Sequence, residues 1–308
     1  MTTAYISHPS CVKHDMGAGH PEAPERIAAV YNALADTGLL SKLSVFESRA
    51  ATFEDLSRAH DPEYIQLIFD AAPAKGHVQL DADTSMNAHS LEAALHAAGA
   101  VVQAVDLVMT GDVNNAFCCV RPPGHHAEHD RAMGFCIFNN LAVGVRRAIE
   151  VYGLKRVAVV DFDVHHGNGT EDIFKDDARV FICQTYQAPF YPYTGCDTIN
   201  GHIVNAHLSA GSDSDNFREV FSAQCLPQLL SFDPQIIFIS AGFDAHTRDP
   251  LAQCKLVEED YVWVTEQVVA VAETHCEGRI VSSLEGGYHL GALGSSAREH
   301  IQVLFDRG

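Results

Sequence analysis

The chain has 308 residues, 40 acidic against 20 basic, for a formal net charge of −20, and 47% of it is hydrophobic. Such a charge argues against direct contact with nucleic acid or an anionic membrane. It suits cationic substrates such as basic peptides or polyamines, although an acidic surface kept for solubility gives the same number.

The apolar content supports a large core. No Pro/Ser-rich linker, internal repeat or low-complexity tract interrupts it, so one domain over 1–308 is expected. The opening Met1-Thr2-Thr3-Ala4-Tyr5-Ile6 lacks the basic-then-apolar pattern of a secretion signal. No apolar run reads as long enough to span a bilayer, and a cytoplasmic protein is expected. Nine cysteines form no Cys-x-x-Cys pair. Cys118, Cys119 and Cys183 lie in strand-like runs and read as reduced core thiols. Cys136 lies nearest the candidate chemistry, but no local signature marks it as a nucleophile.

In chain order the patterns predict helices over 24–37, 62–71 and 90–110, a strand over 115–120 and a helix over 139–152. Strands over 156–163 and 180–184 follow, then a helix over 215–231 and a strand over 235–240. A helix over 258–276, a strand over 279–284 and a helix over 295–307 complete the order. Strands alternating with helices imply an α/β fold, a three-layer α/β/α domain around a mostly parallel sheet. Ligands of such sheets sit beyond the C-terminal ends of the strands.

Four strand ends deliver polar, Gly-rich loops to that rim. The most informative is Asp161-Phe162-Asp163-Val164-His165-His166-Gly167, after the β-branched run 156–160. On extended chain Asp161, Asp163 and His165 share one face. Acids at the end of a buried strand can point into water. An added His-His-Gly favours a divalent cation instead, because buried charge must be paired or bound to metal. Asp244, at another strand end, is the natural third ligand beside Asp163 and His165. An Asp/His/Asp set also accepts Fe(II), Co(II) or Mn(II).

His125-His126, after the rigid turn Pro122-Pro123-Gly124, suits proton transfer, with Asp161 and Asn168 as orienting partners. A random His-His pair is more often simply solvent-exposed. Tyr288, after Gly286-Gly287, can donate its hydroxyl to a developing oxyanion, or can be a tyrosine packed at a turn.

Taken in order, these motifs resemble the zinc-dependent histone deacetylase family, within the arginase/deacetylase fold. The carrying stretches are 19–26 (Gly-His-Pro-Glu-Ala-Pro-Glu-Arg), 121–127, 134–136, 161–170, 241–246 and 285–288. The resemblance implies that Asp163, His165 and Asp244 ligate one Zn2+. It implies that His126 is general base and acid, with His125 as its electrostatic partner, and that Tyr288 holds the acyl carbonyl oxygen. Gly134, Phe135 and Tyr191 would border a narrow acyl-lysine tunnel. Arg26 would sit by an internal cavity, and Asp83 would be a rim acid gripping the substrate backbone. A K+ ion would lie near Asp161, although Gln184 stands where the family commonly offers Ser. Asn168, Leu251 and Ala127-Glu128 are class II-like, and the whole resembles a stand-alone bacterial-type enzyme.

The expected activity is hydrolysis of N-ε-acyl-lysine amides in a peptide or protein. Alternatives are an acetylpolyamine or other small acetylated amine as substrate, an inactive acyl-lysine-binding module, and a binuclear arginase-like hydrolase. The last would need more bridging acids near Asp163 and Asp244. Oligomeric state is not readable from the sequence.

Overall fold

Eight parallel strands form the central sheet in the computed structural model, which describes residues 2–196, 198 and 200–307. In chain order they are β1 (Thr3–Ser7), β2 (Ser44–Glu47), β5 (Asn115–Cys118), β6 (Val157–Asp161), β7 (Val180–Gln187), β8 (Ile203–Leu208), β9 (Ile236–Ala241) and β10 (Ile280–Leu284). The numbering leaves room for a separate antiparallel hairpin, β3 (His77–Gln79) with β4 (Ser85–Asn87). Across the sheet the order is β2-β1-β5-β10-β9-β6-β7-β8.

Strands β5, β6, β7, β9 and β10 are buried at every residue. Such strands need cover on both faces. On one face Asn115 Nδ2 donates to Leu304 O at 2.9 Å, and the Phe117 ring lies 5.7 Å from His300. Both partners belong to α10 (Leu290–Arg307), which packs with α1 (Glu25–Asp36) and α9 (Glu258–His275). Side-chain alternation turns Ala116 and Cys118 to the other face, where α4 (Ser90–Thr110) packs with α5 (Asn140–Glu150). The shorter helices are α2 (Phe53–Ser57), α3 (Pro62–Ala71), α6 (Asn168–Phe174), α7 (Ser214–Val220) and α8 (Leu226–Phe232).

The five central strands fall where the sequence places them. Strands β1, β2 and β8, the hairpin, and helices α2 and α6 were not foreseen. The helix expected over 215–231 is three pieces: α7, a π-turn over Phe221–Cys225, and α8. Pro227 explains the break, since it offers no N–H and its ring crowds the carbonyl four residues back. Helix α10 begins at Leu290 rather than 295, because His289 caps it: Leu293 N donates to His289 O at 2.9 Å. Gly294 lowers the helical signal there, yet a Cβ on it would lie 2.7 Å from Ala29 O of α1. Helix α4 is, contrary to expectation, long and apolar enough to cross a membrane by length and composition. In the structure it is a core helix, packed on α5 and the sheet.

Gly99 shows how closely α4 meets its neighbours. A Cβ there would lie 1.9 Å from Arg49 O and 2.6 Å from Ala51 N, both backbone atoms. Gly99→Ala should therefore lower stability by about 1–3 kcal/mol through overpacking, despite alanine's better helix propensity. Urea unfolding tests this, and an unchanged midpoint would mean that the 49–51 segment yields freely.

Candidate active site

Asp161 ends β6, in register with Gln184 on β7 and Ser240 on β9. Beyond it the chain runs out over the sheet rim and turns Asp163 and His165 towards Asp244 from the loop after β9. His165 Nδ1 lies 3.0 Å from Asp163 Oδ1 and 3.1 Å from Asp244 Oδ2. One donor atom from each of the three residues lies within 4.8 Å of the other two, and all three residues are buried. The remaining carboxylate oxygens are braced by backbone: Gly286 N donates to Asp163 Oδ2 at 2.8 Å, and Val164 N to Asp244 Oδ1 at 2.9 Å. Despite the nearness of His165 Nδ1, Asp244 Oδ2 receives no aligned hydrogen bond among the described residues.

Glycines make this approach possible. A Cβ on Gly286 would lie 2.1 Å from Asp244 Oδ2, and one on Gly242 would lie 2.1 Å from Asp163 Oδ2. Two buried acids, an imidazole between them and an orphaned oxygen fit a divalent cation well.

The histidine pair lies beside this set, ring centroids 4.1 Å apart. His125 Nδ1 pairs with Asp161 Oδ2 at 2.9 Å. His126 Nδ1 pairs with Asn168 Oδ1 at 2.8 Å, while Asn168 Nδ2 donates to Glu128 Oε1 at 2.7 Å. Asn168 therefore presents its oxygen, so His126 carries its proton on Nδ1 and keeps the Nε2 lone pair. Burial alone would depress His125, but Asp163 and Asp161 raise it to about 10. Burial, reinforced by His125 and His165, holds His126 well below the usual histidine range.

A cavity of about 200 Å³ opens onto these groups. His126, His165 and Tyr288 line it together with Phe135, Phe190, Tyr191, Leu251, Gly134 and Asp83. Phe190 stacks on His165 with centroids 5.4 Å apart. Phe135 meets Tyr288 edge-on at 5.9 Å. Phe135 has φ 68°, a costly left-handed value for a bulky residue. Two bonds hold it there: Gly134 N to Asp83 Oδ1 and Phe135 N to Thr84 Oγ1, each 3.0 Å. Gly134 is itself pressed against His126, whose Cδ2 would lie 2.4 Å from any Cβ. Burial and Asp83 together raise the Tyr191 phenol, and burial raises Tyr288.

Arg26 is not on the cavity wall. It is buried behind Tyr288, its guanidinium 5.1 Å from that ring. Its Nη1 pairs with Glu22 at 2.9 Å, its Nε donates to Gly287 O at 2.7 Å, and its Nη2 donates to Glu285 O. Glu22 also holds the fully buried Arg121. Cys136 is buried, and burial pushes its thiol up, which removes it as a nucleophile. Gln184 ties the loop after β6 to β8. Its Oε1 accepts from Gly167 N at 2.8 Å, and its Nε2 donates to Asn205 at 2.9 Å. Both Asp161 oxygens are engaged too, by His125 and by Asp163 N at 3.0 Å.

Sequence reasoning missed Phe190, Asp249 and Glu285. Asp249 Oδ2 accepts from Tyr288 N at 2.7 Å, so it fixes the tyrosine's backbone. A second group, His8, Glu92 and His96, also clusters. There the His8 and His96 rings stack at 3.3 Å, and His8 Nδ1 accepts from Ser10 N at 3.1 Å. That bond places the proton on His8 Nε2, so the group reads as a helix cap with a stacked neighbour.

With this geometry in view, the comparisons with known proteins agree. The histone deacetylase domain family matches residues 20–304. The chain belongs to that family. A probable deacetylase of Archaeoglobus fulgidus is 37% identical over 302 residues, covering 95% of this chain and 83% of that protein. The polyamine deacetylase HDAC10 of Mus musculus is 35% identical, over 92% of this chain and 44% of its own length. The crystal structure of the HDA15 HD domain superposes with a TM-score of 0.93 at 33% identity, covering 100% of this chain and 89% of that one.

Two predictions come from this region. Asp244→Ala should weaken Zn2+ binding by more than about 100-fold, since even outer partners of ligands are worth 10–100-fold. Competition titration with a metal indicator measures this, and an unchanged affinity would remove Asp244 from the ligand set. The second concerns Glu171 on α6. Burial raises its carboxyl, but bonds from His166, Thr198 and Asn205 bring it from 4.5 down to about 2. A depressed acid stabilises the fold above its ordinary value and loses that contribution as pH falls towards 2. Glu171→Gln should therefore be less stable at pH 7 and lose less stability between pH 5 and 2. Parallel curves for the two proteins would contradict this.

Proposed function

We propose that this deacetylase hydrolyses the amide of N-ε-acyl-lysine side chains in peptides or proteins, with zinc held by Asp163, His165 and Asp244. One observation carries the reading. One cavity with aromatic lining brings together His165 of the three-donor cation set, His126 with its Nδ1 held by Asn168, and Tyr288. A divalent cation bound there would polarise the acyl carbonyl and acidify water.

The protein's own groups then have defined tasks. Phe135, Phe190 and Tyr191 would sheathe the straight aliphatic stem, exclude water and direct the amide inward. His126 Nε2 would take the proton of the attacking water as the C–O bond forms. The same nitrogen would deliver that proton to the amine as the C–N bond breaks, leaving acetate and free lysine. Asn168 keeps the tautomer that permits this, since its oxygen can only accept from Nδ1. His125, paired with Asp161, would supply positive charge beside the forming oxyanion, and Tyr288 would donate its hydroxyl to that oxygen.

A second reading, hydrolysis of acetylated polyamines by the same groups, is supported by the −20 charge and by the similarity to a protein named as a polyamine deacetylase. Leu251 on the wall favours the peptide reading, because it offers no charge to a remote ammonium.

The decisive experiment compares kcat/KM for acetyl-lysine peptides and acetylated polyamines on zinc-loaded protein. Higher values for the peptides are expected, and the reverse order would replace the first reading with the second. On the better substrate, Tyr288→Phe should lose about 2–4 kcal/mol of transition-state stabilisation. Turnover at the wild-type rate would deny Tyr288 the oxyanion role.

A further inference from the structure

Four carboxylates are buried around the paired histidines: Asp161, Asp163, Asp244 and Glu285, none more than 2% exposed. The chemistry proposed above uses three of them. Glu285 has no place in it, yet burying a carboxylate is unfavourable unless something is gained.

What Glu285 does is visible in its bonds. Its Oε2 accepts from two successive backbone donors, Gly124 N at 2.7 Å and His125 N at 3.1 Å. Its Oε1 has no hydrogen-bond partner among the described residues. The two donors open the segment that carries His125 and His126. Pro122 and Pro123 precede them and lend no N–H, so these are the first donors after the proline pair. Gly124 packs closely on α5, where a Cβ would lie 2.6 Å from Asn140 N.

Glu285 is also three residues before Tyr288, and the short stretch between them is tied at each residue. Glu285 N donates to Ala241 O at 3.0 Å, and Gly286 O accepts from Phe243 N at 3.0 Å. Gly287 O accepts from Arg26 Nε, and Tyr288 N donates to Asp249. One four-residue segment thus holds the histidine turn by a side chain and presents the phenol at its other end.

We infer that Glu285 is a positioning residue: its carboxylate oxygen fixes the backbone of Gly124 and His125, and thereby sets the His125-His126 pair against Tyr288. The inference rests on the deacetylase reading for its kinetic consequence, but its geometric content can be read without turnover. Losing the acceptor lets the histidine turn relax, and a displacement of about 1 Å at reacting groups can lower rate about 100-fold. Substrate enters along the aromatic wall, which Glu285 does not touch, so KM should hold while kcat falls.

The test uses the zinc-loaded full chain and two variants. Glu285→Gln keeps an oxygen that can accept both N–H groups, whereas Glu285→Leu fills the space and accepts nothing. Expected for Glu285→Leu is a kcat about 100-fold down with KM within about twofold. Its zinc content should equal that of the wild type, and Glu285→Gln should recover most of the loss. Amide exchange at Gly124 and His125, read by NMR, should quicken in Glu285→Leu and stay slow in Glu285→Gln.

Wild-type kcat in metal-loaded Glu285→Leu would overturn the inference. Equal loss in both variants would overturn it as well, because the charge and not the acceptor would then matter. Should Glu285→Leu not fold, a Glu285→Gln kcat about 100-fold below wild type, or fast exchange at the two amides in that variant, overturns it alone. If the wild type cleaves no acylated amine, the deacetylase reading fails. Amide exchange then decides on Glu285 by itself, with unchanged exchange in Glu285→Leu counting against it.

Discussion

Buried negative charge is the constraint on which this structure turns. Asp163 and Asp244 approach one imidazole from two strand ends, sealed from water, and His125 Nε2 lies 3.8 Å from Asp163 Oδ1 on the Asp163 side alone. In a dry interior such a pair is unstable unless something positive joins it. Several features of the surroundings serve that requirement. Gly242 and Gly286 remove atoms that would occupy the same space. Backbone N–H groups from Val164 and Gly286 hold the outer oxygens and leave the inner ones turned to a common point. A cation at that point balances charge, and a site that needs a cation to be stable holds its donors in place before any substrate arrives.

The two adjacent histidines are made different by what stands behind them. Behind His125 is a carboxylate, Asp161, which favours the protonated ring. Behind His126 is a carboxamide, Asn168, which fixes a tautomer and adds no charge. On the proposed mechanism, neighbours in sequence would thus take opposite tasks, one as fixed positive charge and one as proton acceptor. An aspartate at 168 would draw His126 towards the charged form and blur that division.

How much of this the amino-acid order reveals depends on whether the signal is local. Strands β5, β6, β7, β9 and β10 are continuous apolar runs, so the central sheet and the rim above it are legible. Edge strand β2 alternates half-buried and exposed residues over four positions, too short a pattern to separate from a turn. Asp161, Asp163 and His165 read as one face by alternation, whereas β6 ends at Asp161 and the chain bends over 163–165, which brings Asp163 and His165 to Asp244 and leaves Asp161 to His125. Glu285 gives no comparable sign. In Leu284-Glu285-Gly286-Gly287-Tyr288 it reads as an ordinary loop acid, since the N–H groups it binds lie 160 and 161 positions away. Phe190 is hidden differently: between Pro189 and Pro192, strand alternation does not say whether it or Tyr191 faces inward, and both do. Arg26 also braces the Tyr288 segment through the carbonyls of Gly287 and Glu285, a contact that its motif alone does not show.

Substrate choice has a separate physical origin from the chemistry. A net charge of −20 acts over roughly a Debye length, about 8–10 Å at ordinary salt, and speeds the arrival of any cation. It therefore draws acetylated polyamines and basic acetyl-lysine peptides alike and does little to tell them apart. Discrimination has to come from contacts at the cavity, where each candidate places something different beyond the aliphatic stem. A polyamine offers a second ammonium, and Leu251 gives it nothing to bind. A peptide offers backbone N–H groups, and the half-buried Asp83 stands at that side of the opening. Asp83 Oδ1 already accepts from Gly134 N and Thr84 Oγ1, so it is held rigid rather than free to swing. A fixed acceptor favours a donor of fixed geometry, which a peptide backbone supplies and a flexible polyamine does not. On the proposed peptide reading, charge would set how fast substrates arrive, and the stiffness of the rim would set which of them stays long enough to react.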